Sequence, residues 1–223
     1  MSIKLFFEAI FKFASGALLV GLLIFLPAGT VYFLKGWIFM GVLFVPMLGC
    51  GIVMMIKNPS LLASRLNVKE KQKEQGIIIK LSGLMFVLGF VLAGLDYRFS
   101  WFLLPTYISY IFSAVLILAY IMWAEVLREN AYLSRTVKVE KNQRIVDTGL
   151  YGIVRHPMYT ASIVLFLSVP LILGSLISLI PFLFYPFIIV ARIKKEEELL
   201  SKELSGYGEY MKKVKYRLIP FIY

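Results

Sequence analysis

The sequence is poor in the residues on which disulfide-bonded and metal-binding proteins depend. Its 223 residues include one cysteine, Cys50, and one histidine, His156. A single cysteine excludes an internal disulfide and a cysteine-based metal site. No G-x-G-x-x-G motif follows a predicted strand, so a Rossmann-type nucleotide domain is not expected. We predict that the protein uses no metal.

Acidic residues are also scarce, while apolar residues are abundant. The chain has 13 acidic residues against 24 Lys and Arg, a formal charge of +11, and 60% hydrophobic residues. The mean hydropathy is +0.81. Such a composition predicts an integral membrane protein. Because the basic residues lie in loops between apolar runs, they indicate membrane topology and contact with lipid headgroups, and no nucleic-acid partner is expected.

Long apolar runs predict an all-α membrane domain over residues 1–223 with about six transmembrane helices. A span needs about 20 mostly apolar residues. Four spans are predicted within residues 1–124, and the run after them is too long for one upright span and is interpreted as a helical hairpin. The predicted positions are 13–34, 37–56, 76–95, 101–124 and, for the hairpin, 158–191.

Charge distribution orients these spans. With both termini in the cytoplasm, the short outer loops hold Lys35 and Arg98, and the other 22 basic residues lie on the inner side. This asymmetry follows the positive-inside rule. The start of the chain lacks an A-x-A-type cleavage site, which favours a retained first span over a signal peptide. The loop 57–75 fits either a short interfacial helix or a solvated linker.

Three polar groups stand out on the predicted inner side. In "TGLYGIVRHPMY", Pro157 suits the first turn of a helix, so His156 lies at a helix N-terminus, either as a simple cap or as a seat for an anion. In "ARIKKEEELLSKEL", Glu197 lies on an apolar stripe, where it is either misplaced or paired, while Glu196 fits a surface pair with Arg192. The tyrosine-rich and lysine-rich tail, "GYGEYMKKVKYRLIPFIY" (206–223), suits an interfacial belt or a cation-binding pocket.

Taken in order, "GLYGIVRHPMY", the hairpin, "RIKKEEELL", "GYGEY" and "YRLIP" resemble the isoprenylcysteine carboxyl methyltransferase family and its phospholipid methyltransferase relatives. The resemblance covers roughly residues 125–220. It implies a membrane enzyme that uses S-adenosyl-L-methionine, with a C-terminal cytoplasmic segment, 125–223, that binds the cofactor and carries catalysis. The active site is then expected on the cytoplasmic side.

The resemblance also implies which residues form the site. Catalytic roles fall to Arg217, which could hold an acceptor carboxylate, and to His156 and Glu197, candidate bases if the acceptor carries a proton. Glu129 and Asn130 are further candidates. The implied cofactor-binding residues are Tyr151, Arg155, His156, Pro157, Tyr159, Glu196, Glu197, Leu200, Tyr207 and Tyr210.

The expected reaction is carboxyl methylation of a prenylcysteine-like or other amphiphilic, lipid-like acceptor. Methylation of a phospholipid amine or of a small thiol would use the same cofactor segment, so both stay open. A second enzyme class is an NADPH-dependent membrane enzyme that resembles sterol reductases, although those proteins are larger. A transporter or scaffold would predict charged residues buried in mid-span, and the predicted spans hold almost none.

Overall fold

The computed structural model describes residues 3–66, 73–130, 132 and 143–223, and these residues form helices and connecting turns. Nine α-helices lie within these residues. In chain order they are α1 (Ile3–Ala28), α2 (Leu34–Lys57), α3 (Pro59–Leu66), α4 (Lys73–Phe99), α5 (Thr106–Glu129), α6 (Pro157–Leu173), α7 (Leu176–Phe182), α8 (Tyr185–Glu203) and α9 (Tyr207–Lys213).

Within the described part of the chain, five helical segments are long and apolar enough to cross a membrane. They are α1, α2, residues Gly76–Phe99 of α4, α5, and α7 with α8 taken together as Leu176–Glu203. The predicted count of six also treats α6 as a span. Its 17 residues would extend about 26 Å, slightly less than the roughly 30 Å of a hydrocarbon core.

Two predicted span boundaries were wrong. The first helix covers Ile3–Ala28 instead of 13–34, because Gly29 adopts a left-handed conformation (φ 69°) that ends it. The fourth span begins at Thr106 instead of 101, directly after Pro105, and Leu103 instead forms an isolated bridge with Ser175. The end of the first span and the start of the fourth were misplaced because apolar residues outside the helices extended the apolar runs.

The helical hairpin is present, and its turn is held by polar groups. Gly174 ends α6 in a left-handed conformation (φ 72°), and the Ser175 side chain caps α7 by accepting from Ser178 N. The fully buried Asp96 accepts hydrogen bonds from Ser175 Oγ at 2.5 Å and from Phe102 N at 2.8 Å. The hairpin turn is thereby fixed to the connection between α4 and α5.

In loop 57–75, α3 is the helical part, while residues 67–72 lie outside the described range. Arg65 of α3 reaches α5 and α6, with its guanidinium 5.4 Å from the Trp123 ring and 3.8 Å from Met158 Sδ. The N-terminal half therefore contacts the start of α6. The apolar core of the bundle comes from several helices and includes Ile24, Phe39, Phe90, Leu116, Ile172, Phe182 and Ile193.

Candidate functional site

The start of α6 carries the first part of the site. His156 is the N-cap residue and Pro157 is the first helical residue, as the sequence predicts. The missing N–H of proline costs nothing at this position. A short 3₁₀ turn, Gly149–Gly152, precedes the cap. Both Arg155 and His156 are buried, at 8% and 6% exposure, which argues that they belong to an interior site and not to a headgroup-facing turn.

The tail of the chain pairs with this segment through its backbone. Arg155 N donates to Tyr216 O and His156 N donates to Arg217 O, both at 2.9 Å. Thr160 Oγ1 donates to Leu218 O at 2.7 Å. These bonds bring residues 60 positions apart into register and place the Arg217 side chain beside the start of α6.

Glu197 of α8 joins the two segments from a third direction. Its Oε1 accepts from Arg155 Nε at 2.7 Å and lies 3.2 Å from His156 Nε2, and its Oε2 accepts from Arg217 Nε at 2.8 Å. The carboxylate is buried, with 7% of its side chain exposed. The apolar stripe of α8 thus carries a paired carboxylate, one of the two alternatives that the sequence left open.

Arg155 has further partners that fix it in place. Its Nη1 donates to Val214 O at 2.7 Å and to Lys215 O at 2.8 Å. Arg217 Nη1 lies 3.3 Å from Tyr223 Oη, and hydrogen bonding to Glu197 raises the pKa of Arg217 against the opposing effect of burial. We call Arg155, His156, Glu197 and Arg217 the carboxylate cluster.

A second polar contact lies one residue earlier on α8. Tyr159 Oη donates to Glu196 Oε2 at 2.5 Å and accepts from Arg192 Nε at 2.8 Å. The Arg192 guanidinium lies 6.0 Å from the centre of the Tyr159 ring. Glu196 and Arg192 are therefore bridged by a buried tyrosine, whereas the sequence suggested an ordinary surface pair.

Helix α9 supplies two buried tyrosines. Tyr210 Oη donates to Tyr151 O at 2.8 Å, which ties α9 to the 3₁₀ turn. The Tyr207 and Tyr210 ring centres are 5.7 Å apart. Burial raises the pKa of the Tyr151, Tyr207 and Tyr210 hydroxyls above their ordinary value of 10.0. These hydroxyls stay protonated at neutral pH.

These elements surround a recess that opens beside the start of α6. Eight of the ten residues that the family resemblance implied for cofactor binding line it, while Pro157 and Glu197 do not. The eight are Tyr151, Arg155, His156, Tyr159, Glu196, Leu200, Tyr207 and Tyr210. Arg217 also lies outside the lining; its side chain donates to Glu197, and its main-chain oxygen accepts from the N–H of the lining residue His156.

The lining includes residues that the sequence reasoning did not select. Arg192 was interpreted only as a surface partner, although its position four before Glu196 placed both on one ridge of α8. Met158 and Leu204 lie within the quoted segments but were not selected, while Arg144 and Ile145 lie outside those segments. Among the described residues, no group of three or more His, Cys, Asp or Glu side chains could hold a metal ion.

Glu129 and Asn130, the further candidates at the end of α5, have different positions. Both carboxylate oxygens of Glu129 accept from Leu150 N at 3.1 Å, and the carboxylate packs against Gly149, which has φ 54°. Asn130 lines the recess. Glu129 therefore fixes the 3₁₀ turn from outside, while Asn130 faces the same space as Tyr151.

Together, the fold and the recess define a helical membrane protein whose candidate site lies where its C-terminal helices meet the tail. The fold is similar to that of the eukaryotic intramembrane Ras methyltransferase ICMT, isoprenylcysteine carboxyl methyltransferase, solved without a monobody. The TM-score is 0.58 at 21% identity, over 96% of this chain and 77% of that one. At this level of identity, the likeness is one of fold.

Residues 111–202 match the isoprenylcysteine carboxyl methyltransferase family. The matched segment is less than half of the chain and contains α6, nearly all of α8 and the Arg155-His156-Pro157 turn. Part of the chain is also similar to sterol reductases: Delta(14)-sterol reductase TM7SF2 of Mus musculus is 31% identical over 91 residues, and Delta(14)-sterol reductase of Methylotuvimicrobium alcaliphilum is 28% identical over 93 residues. Each match covers 40% of this chain and 22% of the reductase, so the chain spans about a fifth of the curated relatives' length.

Proposed function

We propose that the protein is an S-adenosyl-L-methionine-dependent methyltransferase that binds its cofactor in the recess beside α6 and methylates an amphiphilic acceptor. The observation that carries this proposal is the composition of the recess within a segment of methyltransferase family sequence. Tyrosine rings, guanidinium groups and the Glu196 carboxylate line one space. We place this site on the cytoplasmic side with both termini, on the strength of the positive-inside distribution.

The lining suits the groups of S-adenosylmethionine. The cofactor supplies an activated methyl group on a sulfonium, and aromatic faces such as Tyr207 attract cations of this kind. Glu196 suits the α-ammonium or the ribose hydroxyls, and a guanidinium suits the α-carboxylate. Arg144 fits that role better than Arg155, because Arg155 Nε and Nη1 already have three partners.

The size of the recess adds a condition to this fit. It holds about 100 Å³ of free space, which is less than the roughly 300 Å³ at the lower end of small-molecule sites. A ligand of the cofactor's size would therefore have to move lining side chains apart. Three lining side chains are apolar and make no hydrogen bonds, so moving them breaks none: those of Leu200, Leu204 and Ile145.

Two members of the carboxylate cluster, Arg155 and His156, line the recess, while Glu197 and Arg217 lie behind them. Glu197 fixes Arg155, His156 and Arg217 relative to each other, which pre-organises the wall of the recess. Because Glu197 has three donors, we assign it a positioning role and do not route a proton through it. His156 Nε2 faces the Glu197 carboxylate, and the imidazole tautomer with its proton on Nε2 donates to that carboxylate.

The acceptor is proposed to be a carboxylate on an amphiphilic molecule, such as a prenylcysteine. A carboxylate nucleophile needs no general base, and the residues around it have only to align it and exclude water. Arg217, with 33% of its side chain exposed, remains able to hold an acceptor carboxylate through the donors that Glu197 does not use. An amine or thiol acceptor would require a base, for which His156 is the candidate.

A second candidate function is an NADPH-dependent reduction. It is favoured by the 31% identity of 91 residues of this chain to a Delta(14)-sterol reductase. The same tyrosine and arginine side chains could hold a dinucleotide. The family match over 111–202 makes methyl transfer the preferred proposal.

The deciding experiment is calorimetric titration of the purified protein in detergent with S-adenosylmethionine and, separately, with NADPH. We expect the methyl donor to bind and NADPH to leave no heat signal. Glu196→Gln should weaken binding at least several-fold, whereas Glu198→Gln should leave it unchanged because Glu198 is exposed on the same helix. Binding of NADPH alone would replace the proposal with the reductase.

The acceptor requires a separate measurement. Lipid extracts and prenylcysteine-type compounds would be incubated with the protein and an isotopically labelled methyl donor, and products would be identified by mass spectrometry. A labelled methyl ester supports the carboxyl acceptor, while a labelled quaternary or tertiary amine would assign the activity to phospholipid methylation. A labelled thioether would assign it to a small thiol.

A further inference from the structure

Residues 217–223 form a closed loop that presents apolar side chains at its tip. The backbone N–H groups of Arg217, Leu218 and Ile219 all donate to the main-chain oxygen of Tyr223, at 2.9, 2.8 and 3.0 Å, and Tyr223 N donates back to Ile219 O. Phe221 and Ile222 at the tip are 87% and 77% exposed. The backbone of the loop is thus fixed internally, while the side chains of Phe221 and Ile222 stay mostly uncovered, with the Phe221 ring centre 5.4 Å from that of Tyr216.

The loop lies at the level where α6 begins. Leu218 O accepts from Thr160 in the first turn of α6, and Arg217 O accepts from the N-cap residue His156. From this turn onward α6 is an apolar helix of the membrane bundle. A loop bonded to its first turn is therefore at the boundary between the aqueous phase and the bilayer core.

The chemistry of the segment matches that boundary. Lys212, Lys213 and Lys215 immediately precede the loop, and all three are exposed. Basic side chains beside exposed aromatic and aliphatic side chains are typical of segments that lie in the headgroup region of anionic membranes. Phe221 has φ 66°, in the left-handed region that favours glycine, so a bulky aromatic residue at this tip is conformationally unfavourable.

We propose that loop 217–223 docks into the bilayer leaflet at which α6 begins. In this arrangement Phe221 and Ile222 enter the upper acyl region, and Lys215 lies among the lipid phosphates. Arg217 at the base of the loop donates to Glu197, so insertion of the tip fixes the depth of the carboxylate cluster relative to the membrane surface. The inference does not depend on the reaction that the site performs.

The test uses site-directed spin labels in the full-length protein reconstituted into phosphatidylcholine nanodiscs. Because Cys50 is the one cysteine, Cys50→Ala gives a background to which Phe221→Cys or Ile222→Cys is added. Ser201→Cys, at an exposed position near the end of α8, is the matched aqueous control. Accessibility of each label to oxygen, which partitions into lipid, is compared with its accessibility to a water-soluble nickel complex.

We expect the labels at 221 and 222 to favour oxygen over nickel by several-fold relative to the label at 201. A label at 221 and a label at 222 that both show the same ratio as position 201 would overturn the proposal. Two labelled positions keep the test decisive if one variant fails to fold.

The headgroup contact has its own measurement. Adding anionic phosphatidylglycerol to the nanodiscs should move the 221 label deeper, and Lys215→Gln should reduce that shift. A shift that is unchanged in Lys215→Gln would remove Lys215 from the proposed contact. No dependence on lipid charge in either protein would exclude recognition of anionic headgroups.

Discussion

The Glu197 carboxylate and the Arg155 guanidinium meet at 2.7 Å in the interior, although 42 residues separate them. Both side chains are 7% exposed. A buried ion pair gives little net stability compared with a well-packed apolar pair, but removing one partner leaves a buried charge without compensation. This contact therefore matters most as a constraint on how α8, the start of α6 and the tail are held together.

The first prediction concerns this constraint. Glu197→Gln should lower the free energy of unfolding by about 3–5 kcal/mol, because Arg155 and Arg217 would both lose their anionic partner. Thermal or denaturant unfolding in detergent, followed by circular dichroism, measures the change. The matched control is Glu198→Gln on the exposed face of α8, for which we expect a change within about 0.5 kcal/mol. Equal stability of the two variants would contradict a positioning role.

The second prediction concerns the 3₁₀ turn that precedes the site. A Cβ atom at Gly149 would overlap the Glu129 carboxylate, and the residue has φ 54°. Gly149→Ala should therefore destabilise the protein by about 1–3 kcal/mol. Combining it with Glu129→Ala removes the overlap but not the backbone strain, so a double-mutant cycle should show a favourable interaction energy. Strict additivity in thermal unfolding would show that the two residues do not interact.

How much of this site was predictable from the sequence depends on the residue. His156 could be placed because Pro157 marks the first helical turn, and Glu197 could be selected because it interrupts an apolar stripe. Their 3.2 Å contact depends on the hairpin between α6 and α8, which apolar length and the position of Gly174 predicted. The sequence motifs therefore identified which segments meet.

Other features depend on contacts that carry no local signal. Arg192 lines the recess, where buried Tyr159 bridges it to Glu196, and an arginine four residues before a glutamate otherwise suggests a surface pair. Glu197 accepts from three side chains and stays outside the lining. Sequence spacing alone does not distinguish such a structural carboxylate from one that binds a ligand. Apolar residues continue past the C-terminal end of α1 and precede α5, so hydropathy alone misplaced those two boundaries.

The third prediction concerns pH. Burial raises the pKa of the Tyr151, Tyr207 and Tyr210 hydroxyls in the folded state above the value of 10.0 that applies when the chain unfolds. A group with a raised folded-state pKa contributes stability that is complete below its unfolded-state pKa and is lost as the pH rises toward the folded-state value. Stability should therefore fall above about pH 10.

Tyrosinate absorbance in the near ultraviolet, recorded alongside circular dichroism, checks this expectation. The absorbance assigned to these three tyrosines should appear together with unfolding, and Tyr210→Phe should remove one of the three contributions. Ionisation of all three around pH 10 with helicity retained would contradict their burial.

The fourth prediction separates the two ends of α6. Asp96 and Ser175 lie at the hairpin end and hydrogen-bond at 2.5 Å, while the recess lies at the His156 end. Ser175→Ala should cost roughly 1–3 kcal/mol of stability, because buried donors and acceptors lose partners. It should leave ligand affinity at the recess unchanged at temperatures where the variant is folded. Ligand affinity is measured by calorimetric titration of the folded variant with S-adenosylmethionine. A fall in affinity together with stability would contradict the independence of the two ends of α6.

The fifth prediction tests the aromatic wall of the recess and rests on the proposed cofactor. Tyr207 is buried, lines the recess and presents a ring that a sulfonium can approach. A cation over an aromatic face contributes about 0.5–2 kcal/mol, so Tyr207→Ala should weaken S-adenosylmethionine binding by roughly 2- to 30-fold. Tyr207→Phe keeps the ring and should retain most of the affinity. Tyr107→Ala, at a 60% exposed position on α5, is the control for a general loss of tyrosine. Calorimetric titration of the three variants gives the comparison, and equal losses in the phenylalanine and alanine variants would show that the hydroxyl and not the ring contributes to binding.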